Sequence, residues 1–283
     1  MFERIDLHTH SHCSDGVLAP EDLVQRARAR AVELLALTDH DTTAGCAAAR
    51  QASALHGLAF LDGIELTCEW RGREIHVVGL AIRPDDDALQ RHCARVRELR
   101  RERLRAIGAR LERAGLPGTQ LAAQALAAAS PTRLHLARAL VAAGHARDPN
   151  EAFERWLGGG RPGHVPAAWP ELAVAVACIV AAGGAAVLAH PHRYKLSGGG
   201  LRELCGQFRD AGGSGLEVSL AGMSPANADR CAQLARRYGL AGSVGSDFHE
   251  PGLPWRPLGR SAKLPDQIVP MTTRLGLDGP SQA

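Results

Sequence analysis

Short apolar runs alternate along the chain with longer stretches whose apolar positions recur every three to four residues, the pattern of strands and helices in succession. The runs cover residues 4–8, 34–38, 59–65, 75–80, 185–189, 215–218 and 241–245. Helical patterns cover 20–30, 43–55, 171–182, 200–211 and 225–238. Pro20 followed by Glu21 and Asp22 suits a helix start, because the first turn needs no proline N–H and its positive dipole end favours acids. Such alternation predicts the α/β class, as a βα barrel or a related layered fold. Residues 173–189 have the apolar length of a membrane span, but Gly183-Gly184 interrupt them and His190-Pro191 end them. They read as a helix, a glycine stop and a buried strand, and no membrane span is expected.

The rhythm stops between Asp85 and about Gly160. Asp85-Asp86-Asp87 opens a long helix with Leu89, Cys93, Val96, Leu104, Ile107 and Leu111 at its apolar positions, and two or three shorter helices run on to Trp156. The expected organisation is a barrel from residues 1–84 and 161–283, with a helical insertion over 85–160 that covers the active site. Nine arginines stand between Arg91 and Arg113 among Glu98, Glu102 and Glu112. They read first as a solvated helix face with internal ion pairs, and second as a means of steering an anionic substrate. Patterning thins after Leu264, where the tail is expected to fray.

Composition narrows the picture only a little. Of 283 residues 45% are hydrophobic and 22% charged, ordinary for a soluble domain, and a net charge of +3 names no partner. Seven cysteines, an odd number without a CxxC pair, argue against a disulfide framework or a thiolate zinc site and for a reducing compartment. With no signal peptide legible at residues 1–10, a cytoplasmic location is expected.

Histidines and acids change the picture more. His8 and His10 leave the first run, and alternate residues of an extended segment point the same way, so both imidazoles can address one ion. Alone the spacing is weak: with 13 histidines, roughly 0.6 such pairs arise by chance. Context strengthens it. Asp39-His40-Asp41 follow the second run, Glu65 ends the third, His190 follows 185–189, and Asp247 and His249 follow 241–245. Functional groups of a βα barrel gather at the carboxyl ends of strands, so donors at five strand ends point to a metal site. His76 begins a strand instead, but residues 69–73 read as a hairpin turn, which would bring His76 to face Glu65 across an antiparallel pair.

The series Asp6-Leu7-His8-Thr9-His10, Thr38-Asp39-His40-Asp41, Gly63-Ile64-Glu65-Leu66, Ile75-His76-Val77, Ala189-His190-Pro191 and Gly245-Ser246-Asp247-Phe248-His249 resembles the motifs of the PHP (polymerase and histidinol phosphatase) phosphoesterases over nearly the whole chain. The resemblance implies a distorted seven-stranded (βα) barrel and two or three divalent ions, commonly manganese, iron or zinc. It assigns His8, His10, Glu65 and Asp247 to a first ion, with Glu65 bridging to a second ion held by His76 and His190. Asp15, His40 and His249 would hold a third. Asp15 stands where some relatives carry histidine. Nitrogen and oxygen donors without thiolate fit Mn2+, Fe2+ or Zn2+ and do not choose among them; the resemblance makes Mn2+ the first expectation. Pro131-Thr132-Arg133-Leu134-His135-Leu136-Ala137-Arg138, Phe153, residues 156–160 and His190-Pro191-His192-Arg193-Tyr194 resemble the nucleoside 3′,5′-bisphosphate phosphatase branch, which is also linked to 5′–3′ degradation of short RNA. Arg133 and Arg193 are then candidate phosphate clamps, since guanidinium forks match phosphate oxygens, with His135 and His192 as further donors.

The function expected is hydrolysis of the 3′-phosphate of nucleoside 3′,5′-bisphosphates, with 5′–3′ exoribonuclease action on short 5′-phosphorylated RNA as the alternative. A water acidified by divalent ions would attack phosphorus. Asp15, His192 and His249 are the catalytic candidates, and His192, His249 or a metal-held water are alternatives for protonating the leaving alkoxide. The partners expected are a nucleotide or short RNA; oligomeric state is not legible. A metal-dependent amidohydrolase also starts with HxH and ends with a strand-borne Asp, but neither Lys195 nor Lys263 ends a strand where a bridging carbamate would form. A non-catalytic nucleic-acid module built on the arginine helix would leave the donor set without a purpose.

Overall fold

The computed structural model describes residues 2–126, 128–252, 257–260 and 262–277. Seven strands hydrogen-bond in chain order: β1 (Ile5–Asp6), β2 (Leu34–Leu37), β3 (Ala59–Trp70), β4 (Arg73–Leu80), β5 (Ala185–Leu188), β6 (Gly215–Leu220) and β7 (Ala241–Gly245). Parallel pairing joins β1 to β2 to β3 and β5 to β6 to β7, while β4 is antiparallel to both neighbours. Leu7 N–H donates to Val244 O (3.1 Å) and Asp247 N–H to His8 O (2.8 Å), which brings the last strand against the first. The result is a nearly closed, distorted barrel, with its carboxyl-end rim formed by six strand ends and by the start of β4.

The expected helices are present with ends shifted by a few residues: α1 (Pro20–Ala29) and α2 (Cys46–His56) in the first half. The long helix is α3 (Asp87–Arg113), whose Asp86 cap accepts from Ala88 N–H and Leu89 N–H, both at 3.0 Å. It is followed by α4 (Gly118–Leu126), α5 (Arg133–Ala142), α6 (Pro149–Ala152) and a π-helical turn over Phe153–Leu157. The barrel resumes with α7 (Leu172–Ala181), α8 (Gly198–Asp210), α9 (Pro225–Tyr238) and a short α10 (Met271–Arg274). No helix among the described residues is long and apolar enough to cross a membrane.

The apolar residues sort by layer. Leu7, Leu34, Ala36, Val78, Leu80 and Val187 fill the barrel's interior, together with Met271 of α10. Ile64, Leu66, Ile75, Leu188, Leu216 and Val218 face outward under α7, α8 and α9. Leu104, Ile107, Leu111, Leu121, Leu136, Leu140 and Leu157 form a cluster of their own among α3 to the π turn. Two expectations are corrected here. Residues 265–277 do not dangle: Ile268 and Met271 are buried, and Gly242 N–H donates to Val269 O (2.8 Å), so this stretch closes the barrel floor, while 278–283 lie outside the described residues. Nor is the arginine face of α3 merely solvated. Arg97 donates to Asp41 O (2.8 Å), and Arg100, itself buried, donates to Asp41 and Thr67 on the barrel rim.

Candidate metal centre

The rim is built locally from short polar turns. Thr9, between the two histidines, donates through Oγ1 to Ala36 O (2.6 Å), which pins the end of β1 and turns His8 and His10 to one side. Asp39 accepts from Ser11 N–H (2.8 Å), Ser11 Oγ (2.6 Å) and Ser14 Oγ (2.6 Å), ordering the loop that carries Asp15. Gly245 has no side chain because a Cβ there would meet His8 Cβ at 2.7 Å, and β7 could then not close on β1. Asp247 and His190 hold left-handed backbones, φ 53° and 31°, an uncommon conformation for non-glycine residues and one concentrated at functional sites.

Glu65 is the centre of what these turns assemble. His8 Nε2, His10 Nε2 and His40 Nδ1 lie 3.2, 3.3 and 3.1 Å from its Oε2. His76 Nδ1 and His190 Nε2 each lie 3.0 Å from its Oε1. His76 is not directly across the hairpin: its register partner is Thr67, and it reaches Glu65 diagonally. Asp247 Oδ1 stands 3.4 Å from His10 Nε2, and Asp15 Oδ1 stands 3.3 Å from His249 Nε2. All nine donor residues expected from the sequence therefore converge. Seven of them fall into overlapping groups, His8, His10 and Glu65; His40, Glu65 and His76; and His10, Asp15, His40 and His249, while His190 and Asp247 flank these groups.

This packing fits cations better than it fits its own hydrogen bonds. Two ring nitrogens, His8 Nε2 and His10 Nε2, face each other at 3.1 Å and share the carboxylates of Glu65 and Asp247. Buried His40 Nδ1, His190 Nδ1 and Asp15 Oδ1 have no hydrogen-bond partner among the described residues, although His40 and Asp15 stand at ion-pair distance from neighbours. Donors about 2.1 Å from a shared ion would themselves stand roughly 3–3.4 Å apart, the spacing seen here. Without such an ion, protons carry the compensation. Burial opposes charge on His10 and His76, yet hydrogen bonds and attraction from Asp247, Glu65 and Glu74 hold them up at about 9 and about 10. Burial wins at His40, pushed down to about 3. Burial would raise Glu65 and Asp15, but the surrounding imidazoles keep both well below the usual carboxylate range.

Above the cluster opens a cavity of about 520 Å³. Arg133, Phe153 and Asn150 from the helical segment line it on one side, and Arg193, Asp247 and Glu250 on the other. Arg133 donates to Glu74 (2.9 Å), as does Arg103 (2.7 Å) and the Trp169 indole (3.0 Å). Arg193 pairs with Asp247. Glu74 was not legible as a site residue: it sits next to the hairpin turn, where glutamate is commonplace. Two candidates fall outside the cavity lining. His135 takes a helix-capping position, its Nδ1 accepting from Thr132 N–H (3.0 Å). His192 lies in the 3₁₀ turn Pro191–Arg193, where neighbouring side chains splay by about 120°, so the turn that brings Arg193 to the cavity directs His192 elsewhere.

The PHP domain model matches residues 6–138. A 5′-3′ exoribonuclease of Haemophilus influenzae is 41% identical over 271 residues, 96% of this chain and 98% of that one. A 3′,5′-nucleoside bisphosphate phosphatase of Chromobacterium violaceum is 42% identical over 273 residues, 96% of each. A solved structure of an amidohydrolase from Chromobacterium violaceum, with bound sulfate and no metal, superposes with a TM-score of 0.91 at 42% identity over 96% of both chains. Likeness of this extent, on a rim of converging imidazoles and carboxylates, makes the chain a member of the PHP family of metal-dependent phosphoesterases and an enzyme that hydrolyses phosphoric esters.

Proposed function

We propose that this enzyme removes the 3′-phosphate of nucleoside 3′,5′-bisphosphates, with 5′–3′ hydrolysis of short 5′-phosphorylated RNA as a second reading of the same site. His8, His10, Glu65 and Asp247 would hold one divalent ion; Glu65, His76 and His190 a second; Asp15, His40 and His249 a third, with Mn2+ the ion we favour over Fe2+ and Zn2+. The observation that carries this reading is the imbalance of the cavity. Six carboxylates and three arginines line it, and one of the six, Glu65, is ringed by five imidazoles. A phosphate would be repelled from such a lining unless cations offset it. The split of Glu65's contacts between its two oxygens suits a carboxylate shared by two ions.

When bound, divalent ions supply Lewis acidity toward phosphoryl oxygens and acidify a water nucleophile. The chain's own groups do the rest. Glu74 offsets only one of the two guanidinium charges, Arg103 and Arg133, that it accepts from, which leaves a positive balance for the substrate's second phosphate. Arg193 lies against Asp247, beside the reacting phosphate in this reading. With the third site filled, a metal-held water is our candidate for protonating the leaving alkoxide; with it empty, His249, whose Nε2 lies 3.3 Å from Asp15, takes that role. We further read residues 85–160 as an insertion that roofs the site. In support, Arg97, Ser130 and Arg138 donate to the carbonyls of Asp41 (2.8 Å), His40 (2.6 Å) and Asp15 (2.7 Å).

A cavity of about 520 Å³ suits a mononucleotide, within the ~300–1,000 Å³ usual for small ligands. The bisphosphatase of Chromobacterium violaceum supports the first reading and the exoribonuclease of Haemophilus influenzae the second. An amidohydrolase of the carbamate-bridged kind is disfavoured, because both lysines are exposed and Glu65 occupies the centre of the cluster. The deciding experiment compares metal-reconstituted enzyme on adenosine 3′,5′-bisphosphate, histidinol phosphate and a 5′-phosphorylated RNA oligomer. Release of AMP and phosphate from the first at the highest kcat/KM is expected. Preference for histidinol phosphate would overturn the reading, and preference for the oligomer would replace it with the second.

A further inference from the structure

Six of the seven strands bring a proposed metal ligand to the rim, and β6 brings none. In its place β6 carries Glu217, only 1% exposed. Leu216 and Val218, on either side, pack outward under the helices, so Glu217 faces the barrel interior. A register shift against β7 between Glu217 and Ser219 marks a bulge, a device that re-aims side chains at barrel rims. Both oxygens of the carboxylate are engaged, and by two different proposed ligands. Oε1 lies 2.6 Å from His8 Nδ1, and Oε2 accepts the backbone N–H of His190, the residue held at φ 31°.

We propose that Glu217 is a positioning residue for the metal centre, which fixes His8 as the Nδ1–H tautomer with Nε2 turned toward the ions and pins the strained backbone of His190. The inference rests on the reading that His8 and His190 hold ions. A carboxylate behind a ligating imidazole locks the ring's rotation and raises its basicity, and loss of such a partner typically weakens metal binding about 10- to 100-fold. Here one carboxylate also ties a ligand of the first ion to a ligand of the second. Its loss therefore weakens those two ions together and spares the set formed by Asp15, His40 and His249, which Glu217 does not touch.

Glu217→Gln tests this with little change of shape. One amide cannot accept from both donors, because its NH2 must face either His8 Nδ1–H or the His190 N–H. Metal-stripped wild type, Glu217→Gln and His8→Ala are titrated with Mn2+ alone, free ion being followed by electron paramagnetic resonance. Glu217→Gln is expected to bind two of the ions about 10- to 100-fold more weakly, with the third bound as in wild type. Wild-type affinities in Glu217→Gln beside a loss in His8→Ala would overturn the proposal while sparing the metal site. Wild-type affinities in both variants would sink the site assignment itself and the proposal with it. Should Glu217→Gln fail to fold, 15N-histidine NMR of the Zn2+-loaded wild type decides: the His8 proton on Nδ1 supports the role, and on Nε2 removes it.

Discussion

Glu65 and Glu74 sit on the two arms of one hairpin and meet opposite partners. Glu65 gathers imidazoles, whereas Glu74 holds two guanidiniums and stands 3.7 Å from His76, so it joins the proposed metal side of the cavity to its phosphate side. Arg133→Ala removes one charge-assisted contact of about 1.5–3 kcal/mol, so kcat/KM for adenosine 3′,5′-bisphosphate should fall roughly 10- to 150-fold while a simple aryl phosphate is hardly affected. Equal losses on both substrates would count against the clamp. The histidines also predict how the metal-free fold responds to pH. Burial notwithstanding, carboxylates raise His10 to about 9 and His76 to about 10, above the usual 6.5, so their stabilisation is complete below pH 6.5 and lost as pH rises through 9–10. His40, lowered by burial to about 3, acts in the opposite sense, its contribution being lost as pH falls from 6.5 toward 3. Thermal melts of chelator-treated protein should therefore peak near neutral pH, with an alkaline limb that Mn2+ abolishes. A melting temperature flat from pH 6.5 to 10 would contradict this.

At the scale of elements, the joint between α3 and the rim is a buried ion pair. Arg100 is 8% exposed and Asp41 0%, and Asp41 also accepts from Thr67 N–H (2.8 Å), two residues beyond Glu65. A buried charge left without its partner is costly, so Asp41→Ala should destabilise by about 3–5 kcal/mol in urea unfolding. Adding Arg100→Met should recover much of that loss, because the stranded guanidinium goes with it. Additive losses in the double variant would show that the pair is not what joins the two elements. The Asp at this position belonged to a motif read from the sequence as metal-binding context. Its partner lies 59 residues along the chain, and nothing in the helical pattern of α3 distinguishes Arg100 from the arginines around it.

For the molecule as a whole, the barrel has a polar end and an apolar floor, and the chain's last described helix supplies part of that floor. Met271, 1% exposed, packs among Leu7, Leu34, Val78 and Val187. Met271→Ala should cost about 2–5 kcal/mol in equilibrium unfolding, the usual effect of emptying a core site. A loss below about 0.5 kcal/mol, the range of ordinary surface changes, would mean that the tail only rests against the barrel. The sparse patterning after Leu264 concealed this role, because a plug needs two or three apolar residues rather than a periodic face.

The order of strands and helices was legible in the chain because each element buries one face, and burial imposes a period of two or of 3.6 on its apolar positions. Much of the converging cluster was legible as well, since His8, His10, His40, Glu65, His190, Asp247 and His249 stand at or just past the ends of apolar runs, whereas His76 begins its strand and Asp15 lies in a loop. What tertiary structure alone decided was how charge is shared. Residues 216–220 alternate as a strand with a polar outer face would, yet near the rim of this barrel the interior is the polar side, so Glu217 points in toward His8, 209 residues away. Local periodicity records that a residue differs from its neighbours but not which side of the sheet holds the site. That is set when distant strand ends, none of them able to stabilise buried charge alone, close into one ring.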